Sequence, residues 1–474
     1  MASTSAGAAG GGNAVDEQAT GVAVRCTQTA RDGGQRLAVM PEIAWRPAVE
    51  ADLPSIVVRP QVGYQEILGF GGAITEAMAT TLLALPARAQ EELLAAYFDP
   101  RTGHGYTLAR THINSCDFAK GNYAHAAVEG DVDLAHFGIE RDRQALLPVI
   151  QGASRVAGAP LQLLASPWSP PAWMKSNAKM NGGGKLREEF RAAWAACYCR
   201  FVEEYERAGV RVWGLTVQNE PAATQPWDSC VYTGAEERDF VRDHLGPALK
   251  RAHLERLKLL VWDHNRDLMF ERAQTVLDDP DAAAYVWGVA FHWYGADCFA
   301  NVGKVHDAWP DKHLLFTEGC QEGGPHAGSW LPGERYARSM IQDLNHWADG
   351  WIDWNLLLEK SGGPNHVGNL CAAPILADVA TGELQYQSAY YYLGHFSRFI
   401  KPGARRVLAA SGHDHLETTA AWNPDGSMAV VVLNRTEQPI AYTLKCGGRG
   451  ATLTIPPRAI QTLTFKGEAS HVAR

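Results

Sequence analysis

Residues 186–221 read LREEFRAAWAACYCRFVEEYERAGVRVWGLTVQNEP. Leu186, Phe190, Trp194, Cys197, Phe201 and Tyr205 recur every three or four residues, which predicts a helix over Leu186–Tyr205 with one apolar stripe. After Gly209 the pattern changes to a short apolar run, Val212 to Gln218, that stops at Asn219 and Glu220. A helix followed by a wholly apolar strand with polar residues at its carboxyl end is the repeating unit of a parallel α/β fold.

The same rhythm extends in both directions. Further strand-like runs are Ile67–Gly71, Tyr106–His112, Leu161–Pro167, Leu257–Asp263, Val286–Trp293, His313–Thr317 and Trp351–Leu357. Helical patterns fall between them at Ala87–Tyr97, Arg141–Ala157, Glu236–Ala252 and Glu334–Trp347. Eight runs each followed by a helix predict a closed (β/α)8 TIM barrel; an open doubly wound sheet shares much of the pattern, but no glycine-rich phosphate fingerprint favours it. The flanks differ. Gly21–Gln65 and Arg405–Phe465 carry short β-prone segments such as Met428–Leu433 and Ala451–Ile455, with a turn signal at Asn423–Gly426. Neither flank is long enough for a stable sheet of its own, so the two are expected to join. The predicted organisation is a disordered leader over 1–20, a side β-sandwich domain from 21–65 and 399–474, and a barrel over 66–398.

Composition narrows the function. The chain has 474 residues, with 43 Lys+Arg against 52 Asp+Glu and a net charge of −9, so no broad basic surface recommends nucleic acid or an anionic membrane as partner. The expected partner is a small neutral molecule, and the sequence is silent on oligomeric state. No apolar stretch is long enough to span a membrane, and the small, polar, glycine-rich start lacks the pattern of a signal peptide. Nine scattered cysteines suggest a reducing compartment, so cytoplasmic residence is expected. Among fifteen tryptophans, Trp168, Trp173, Trp227, Trp293, Trp351 and Trp354 sit beside polar motifs, where flat rings suit sugar faces as well as a core.

In such barrels the reactive groups stand where strands end. Here those ends carry Arg110, His112, Asn114 and Asp117 after the second run, Ser166 and Trp168 at the third, and Asn219 and Glu220 at the fourth. His292 and Tyr294 end the sixth, Glu318 the seventh, and Trp354 the eighth. Glu220 and Glu318 follow runs too apolar for ordinary surface charge, although an acid before Pro221 also suits a helix N-terminus and a buried Glu318 also suits an ion pair. Two carboxyls facing one another across a barrel mouth are what glycosidic cleavage requires: one protonates the departing oxygen and the other attacks the anomeric carbon. Asn219 would then bond the sugar 2-hydroxyl. Arg110 and His292 either hold Glu318 ionised or satisfy buried polar groups, Asp117 and Trp168 would meet hydroxyls and a pyranose face, and Tyr294 would bond the nucleophile.

Taken in order, GFGGAITEA (69–77), SCDFA (115–119), ASPWSPPAWMKSN (165–177), QNEP (218–221), FHWY (291–294), TEGC (317–320), DWNLLLEKSGGPNHVGN (353–369) and YYLGHFSRFIKPG (391–403) resemble glycoside hydrolase family 30, nearest its glucosylceramidase branch. The resemblance implies a clan A barrel with a side β-sandwich, Glu220 as acid/base, Glu318 as nucleophile, and neither metal nor organic cofactor. It also implies a glucose pocket of Asp117, Trp168, Asn219, Trp354, Arg110, Tyr294 and Asn369, with His292 among the substrate-binding residues. The implied activity is that of a retaining, exo-acting β-glycosidase, glucosylceramidase-like, working by double displacement. A β-xylosidase, β-fucosidase or β-1,6-glucanase would use the same acids, and a non-catalytic carbohydrate-binding protein the same fold. The chain departs from the pattern in AATQPWDSCVYTG (222–234), which carries Trp227 and Cys230, and at His366, where an aromatic is expected; both segments would face the leaving group.

Overall fold

The computed structural model describes residues 23–48 and 53–467; the leader expected over 1–20 lies outside the described residues. Eight parallel strands close into a barrel: β1 (Gly69–Ala73), β2 (Leu108–Ile113), β3 (Gln162–Pro167), β4 (Val212–Thr216), β5 (Lys258–Asn265), β6 (Gly288–His292), β7 (His313–Glu318) and β8 (Gly350–Asn355). Each pairs with its neighbour in sequence, and β8 returns to β1 through Trp351 opposite Phe70 and Ile352 opposite Gly71. Leu108, Leu164, Leu260, Ala290, Leu315 and Ile352 fill the interior as a compact cluster. Closure is tight at Gly71, where a Cβ would stand 1.9 Å from the Leu108 carbonyl oxygen, so only glycine lets β1 approach β2.

The surrounding helices depart from the periodic reading at prolines. The stretch expected as one helix over Arg141–Ala157 is two, Glu140–Gln144 and Leu146–Ala157, because Pro148 cannot donate to the Gln144 carbonyl. The Glu236–Ala252 stretch loosens into a π-turn at Val241–Leu245, just ahead of Pro247. The eighth run also stops early, and Leu357–Glu359 leaves the barrel to pair with Ile375–Asp378 in a separate three-stranded sheet.

Both chain ends contribute to one ten-stranded sheet that curls over its own apolar core. Arg25–Ala30 pairs along Ala459–Lys466, and the long strand Ser55–Ile67 pairs with Ala404–Ser411 immediately before the chain enters β1. The sheet docks on the barrel through apolar residues, among them Val431, Leu433 and Ile460, that belong to the same buried cluster as the barrel helices. Arg406 donates to Gln65, whose amide caps the carbonyls of Leu344 and Ala348. None of the nine cysteines forms a disulfide. Among the described residues no helix is long and apolar enough to cross a membrane.

Candidate active site

A pocket opens at the carboxyl ends of the barrel strands. Asp117, Trp168, Asn219, Glu220, Tyr294, Glu318, Trp354 and Asn369, singled out from sequence, all line it. A larger groove on the outer surface, over Gln151, Arg155 and Arg211, is lined by neither carboxylate nor histidine.

Glu318 closes β7 and Glu220 follows β4. Their nearest carboxylate oxygens, together with a ring nitrogen of His292, lie within 4.8 Å of one another. Glu220 adopts φ 48° and Asp263 φ 50°, left-handed conformations that cost about 1–3 kcal/mol each and turn these side chains inward. Glu318 accepts from Arg110 Nη1 at 2.6 Å and from the Tyr294 hydroxyl at 2.9 Å. Glu220 has only longer contacts: His292 Nδ1 at 3.4 Å, Gln225 Nε2 at 3.4 Å and His264 Nε2 at 4.0 Å.

Arg110 and His292, read as substrate-binding, do not line the pocket; they are fully buried beneath the two acids. Both converge on Asp263 of β5. Arg110 Nη2 donates to it at 2.8 Å and His292 Nε2 lies 3.0 Å away, while Thr216 and Thr317 each donate a hydroxyl bond of 2.6 Å. Burial opposes the Asp263 charge, but Arg110 and His292 hold it well below the usual carboxylate range. Burial likewise opposes a charge on His292, yet Glu318, Asp263 and Glu220 push it up to about 9. Arg110 and His292 therefore sit as paired cations under two carboxyls. The three ligand-type groups Glu220, His292 and Glu318 are close enough to hold a cation, but both ring nitrogens of His292 already face carboxylates, so this arrangement is one for moving protons.

The two acids titrate together. Burial is the largest influence and raises both; at Glu220 the bonds and charges of His292, His264 and Gln225 outweigh it and hold that acid below the usual carboxylate range, whereas at Glu318 the Glu220 charge adds to burial and the acid lies above that range despite His292 and Arg110. Two buried carboxyls this close share one proton. The short bonds from Arg110 and Tyr294 favour a charge on Glu318 in that sharing, against the burial that raises it. His292→Gln removes a positive charge that favours ionisation of both, so both limbs of the kcat/KM profile are expected to move to higher pH. An initial-rate series across pH checks this, and an unmoved profile would mean that His292 has no electrostatic part.

The rest of the pocket is built differently. Asp117 accepts from Asn365 at 3.0 Å and Asn369 at 3.2 Å; burial and the Glu318 charge push it up to about 7. Asn219 accepts from Arg110 at 2.9 Å through Oδ1, which turns its amide nitrogen toward the pocket. Trp168 and Trp354 stack on one another at 5.3 Å, with the Arg110 guanidinium 4.8 Å from the Trp168 ring. Trp227 also lines the pocket, but Trp173, Trp293 and Trp351 do not: Trp351 stacks on Phe316, Trp293 packs on Tyr336, and Trp173 on Phe190. Cys230 is fully buried and does not line the pocket, and His366 bonds Asp228 at 2.9 Å. Asp263, His264, Asn265, Gln225 and Glu322 escaped the sequence reading. The polar cluster WDHN ending the fifth run was the available signal for three of them.

Residues 67–400 match the glycosyl hydrolase family 30 TIM-barrel domain, and residues 403–463 match the β-sandwich domain of the same family. The chain belongs to glycosyl hydrolase family 30. It is 38% identical over 420 residues to the lysosomal acid glucosylceramidase of Mus musculus, covering 85% of this chain and 81% of that protein. It is 29% identical over 401 residues to an endo-1,6-beta-D-glucanase of Neurospora crassa, covering 80% of this chain and 81% of that one. Among solved structures, SrfJ from Salmonella typhimurium superposes with a TM-score of 0.90 at 38% identity, covering 94% of this chain and all of that one. As a family 30 member the chain is a glycoside hydrolase, close to glucosylceramidases and also to endo-1,6-β-glucanases.

Proposed function

We propose that this glycoside hydrolase removes a terminal β-linked glucose with retention of configuration. The observation that carries this reading is the spacing of Glu220 and Glu318, whose oxygens lie within 4.8 Å. Retaining enzymes hold their carboxyls roughly 5–5.5 Å apart, whereas inverting ones need about 6.5–9.5 Å to admit a water. Glu318, charged and aimed by Arg110 and Tyr294, attacks C1 while Glu220 gives its proton to the departing oxygen. Glu220 then takes a proton from water, which displaces Glu318 from the sugar. Exo-action is supported by the loop 365–369, which is tied to Asp117 through Asn365, Asn369 and the His366 amide and so walls the pocket beside the sugar. Glucose is supported by the glucosylceramidase likeness.

The test is a panel of aryl β-glucoside, xyloside, fucoside and galactoside, with the first-formed anomer followed by NMR. The expected result is preferential cleavage of the glucoside with β-glucose appearing first. An α-anomer as first product would overturn retention, and a preferred xyloside or fucoside would overturn the sugar assignment.

A further inference from the structure

Glu220 delivers its proton to the leaving oxygen, so whatever stands around Glu220 on the pocket side meets the leaving group. Resting on the glycosidase reading above, we propose that this side is a subsite for a second, uncharged sugar ring, with Trp227 as its stacking face and Glu322 as its hydroxyl acceptor. Gln225 and His264 contact Glu220, the Glu220 charge acts on Glu322, and Trp227 and Asn265 line the same pocket. All but Trp227 are polar. Among the described residues the exposed Glu322 carboxylate has no hydrogen-bond or ion-pair partner, and His264 Nδ1 is buried without one. Burial and the Glu220 charge raise Glu322, while Arg335 lowers it.

An acyl or alkyl chain lying here would cover that carboxylate with methylenes and strand it, a desolvation with nothing in return. A sugar ring presents one apolar face to an indole and hydroxyls to the carboxylate and amides, and so satisfies both kinds of surface. An anionic leaving group would be repelled by Glu322.

The platform is prearranged. Asp228, next to Trp227, accepts from Ser115 at 2.5 Å and Asn122 at 2.8 Å, and bonds His366 at 2.9 Å. Lys175, buried, donates to the Ser229 carbonyl at 2.5 Å and to that of Met180 at 2.8 Å. The Trp227 loop is thus fastened to the loop that carries Asn369.

The experiment compares kcat/KM of the full chain on β-1,3-, β-1,4- and β-1,6-linked glucose disaccharides, octyl β-glucoside, glucosylceramide in mixed micelles and 4-nitrophenyl β-glucoside. At least one disaccharide is expected to exceed octyl β-glucoside tenfold or more. Glu322→Ala and Trp227→Ala are each expected to shrink that ratio at least tenfold, with Glu322→Gln falling between; because each ratio is taken on one enzyme sample, folding losses cancel. Preference for the alkyl or ceramide glucoside over every disaccharide, or ratios unmoved by both variants, would overturn the subsite while leaving the glycosidase reading intact. A wild-type chain that leaves even the nitrophenyl glucoside untouched would sink that reading, and the subsite with it.

Discussion

Glu318→Gln is expected to lower kcat on any β-glucoside by at least about 10⁴-fold, equivalent to about 5.5 kcal/mol of activation free energy. The carboxylate it removes accepts from Arg110 and Tyr294 and stands at the end of β7 facing Glu220. The amide fills the same volume but cannot bond covalently to the anomeric carbon, so both chemical steps lose their route. The smaller variant Glu318→Ala separates a lost nucleophile from a damaged pocket. It leaves room for a small anion on the face from which Glu318 attacks, so added azide is expected to restore turnover and to give an α-glycosyl azide. Turnover within a few-fold of wild type, or no azide product from a folded Glu318→Ala, would remove Glu318 from the nucleophile role.

Glu220→Gln is expected to act unevenly, and the unevenness is the test. Without its proton donor, cleavage of a poor leaving group such as an alkyl alcohol should fall by about 10²–10⁴-fold, the usual worth of general acid catalysis. A leaving group acidic enough to depart unprotonated, such as dinitrophenol, should lose far less in the first step. Water then attacks without its base, so the glycosyl–Glu318 intermediate accumulates and a burst of phenol precedes slow turnover. Equal losses on acidic and alkyl leaving groups would mean that Glu220 holds structure or charge and does not transfer the proton.

Much of the barrel was legible along the chain because a strand buried on both faces reads as a continuous apolar run. VWGLT and HLLFT announce themselves in this way, and an acid close after such a run stands out against it, Glu220 following VWGLT by way of VQN and Glu318 directly after HLLFT. The boundaries blurred where proline broke the hydrogen-bond ladder, as at Pro148 and Pro247, since periodicity carries no record of a missing donor. Tryptophans were half legible. Trp168, Trp227 and Trp354 line the pocket, but Trp293 and Trp351 turn into the core, because a ring beside a polar motif does not say which face of the strand it leaves from.

Asp263 is the clearest case of what lay beyond the linear reading. As one acid in WDHN it has nothing to distinguish it; only closure of the barrel brings Arg110 from β2 and His292 from β6 against it and makes it the anchor of both cations. The sequence by itself determined the strand–helix alternation and the two candidate acids with their order, because hydrophobic period and strand-end chemistry are local properties. Only the tertiary structure decided that the acids' oxygens come within 4.8 Å, that Arg110 and His292 lie beneath them rather than in the pocket lining, and that Gln225 and Glu322 join that lining. Those are distances between residues remote along the chain, and they exist only once eight strands share one axis.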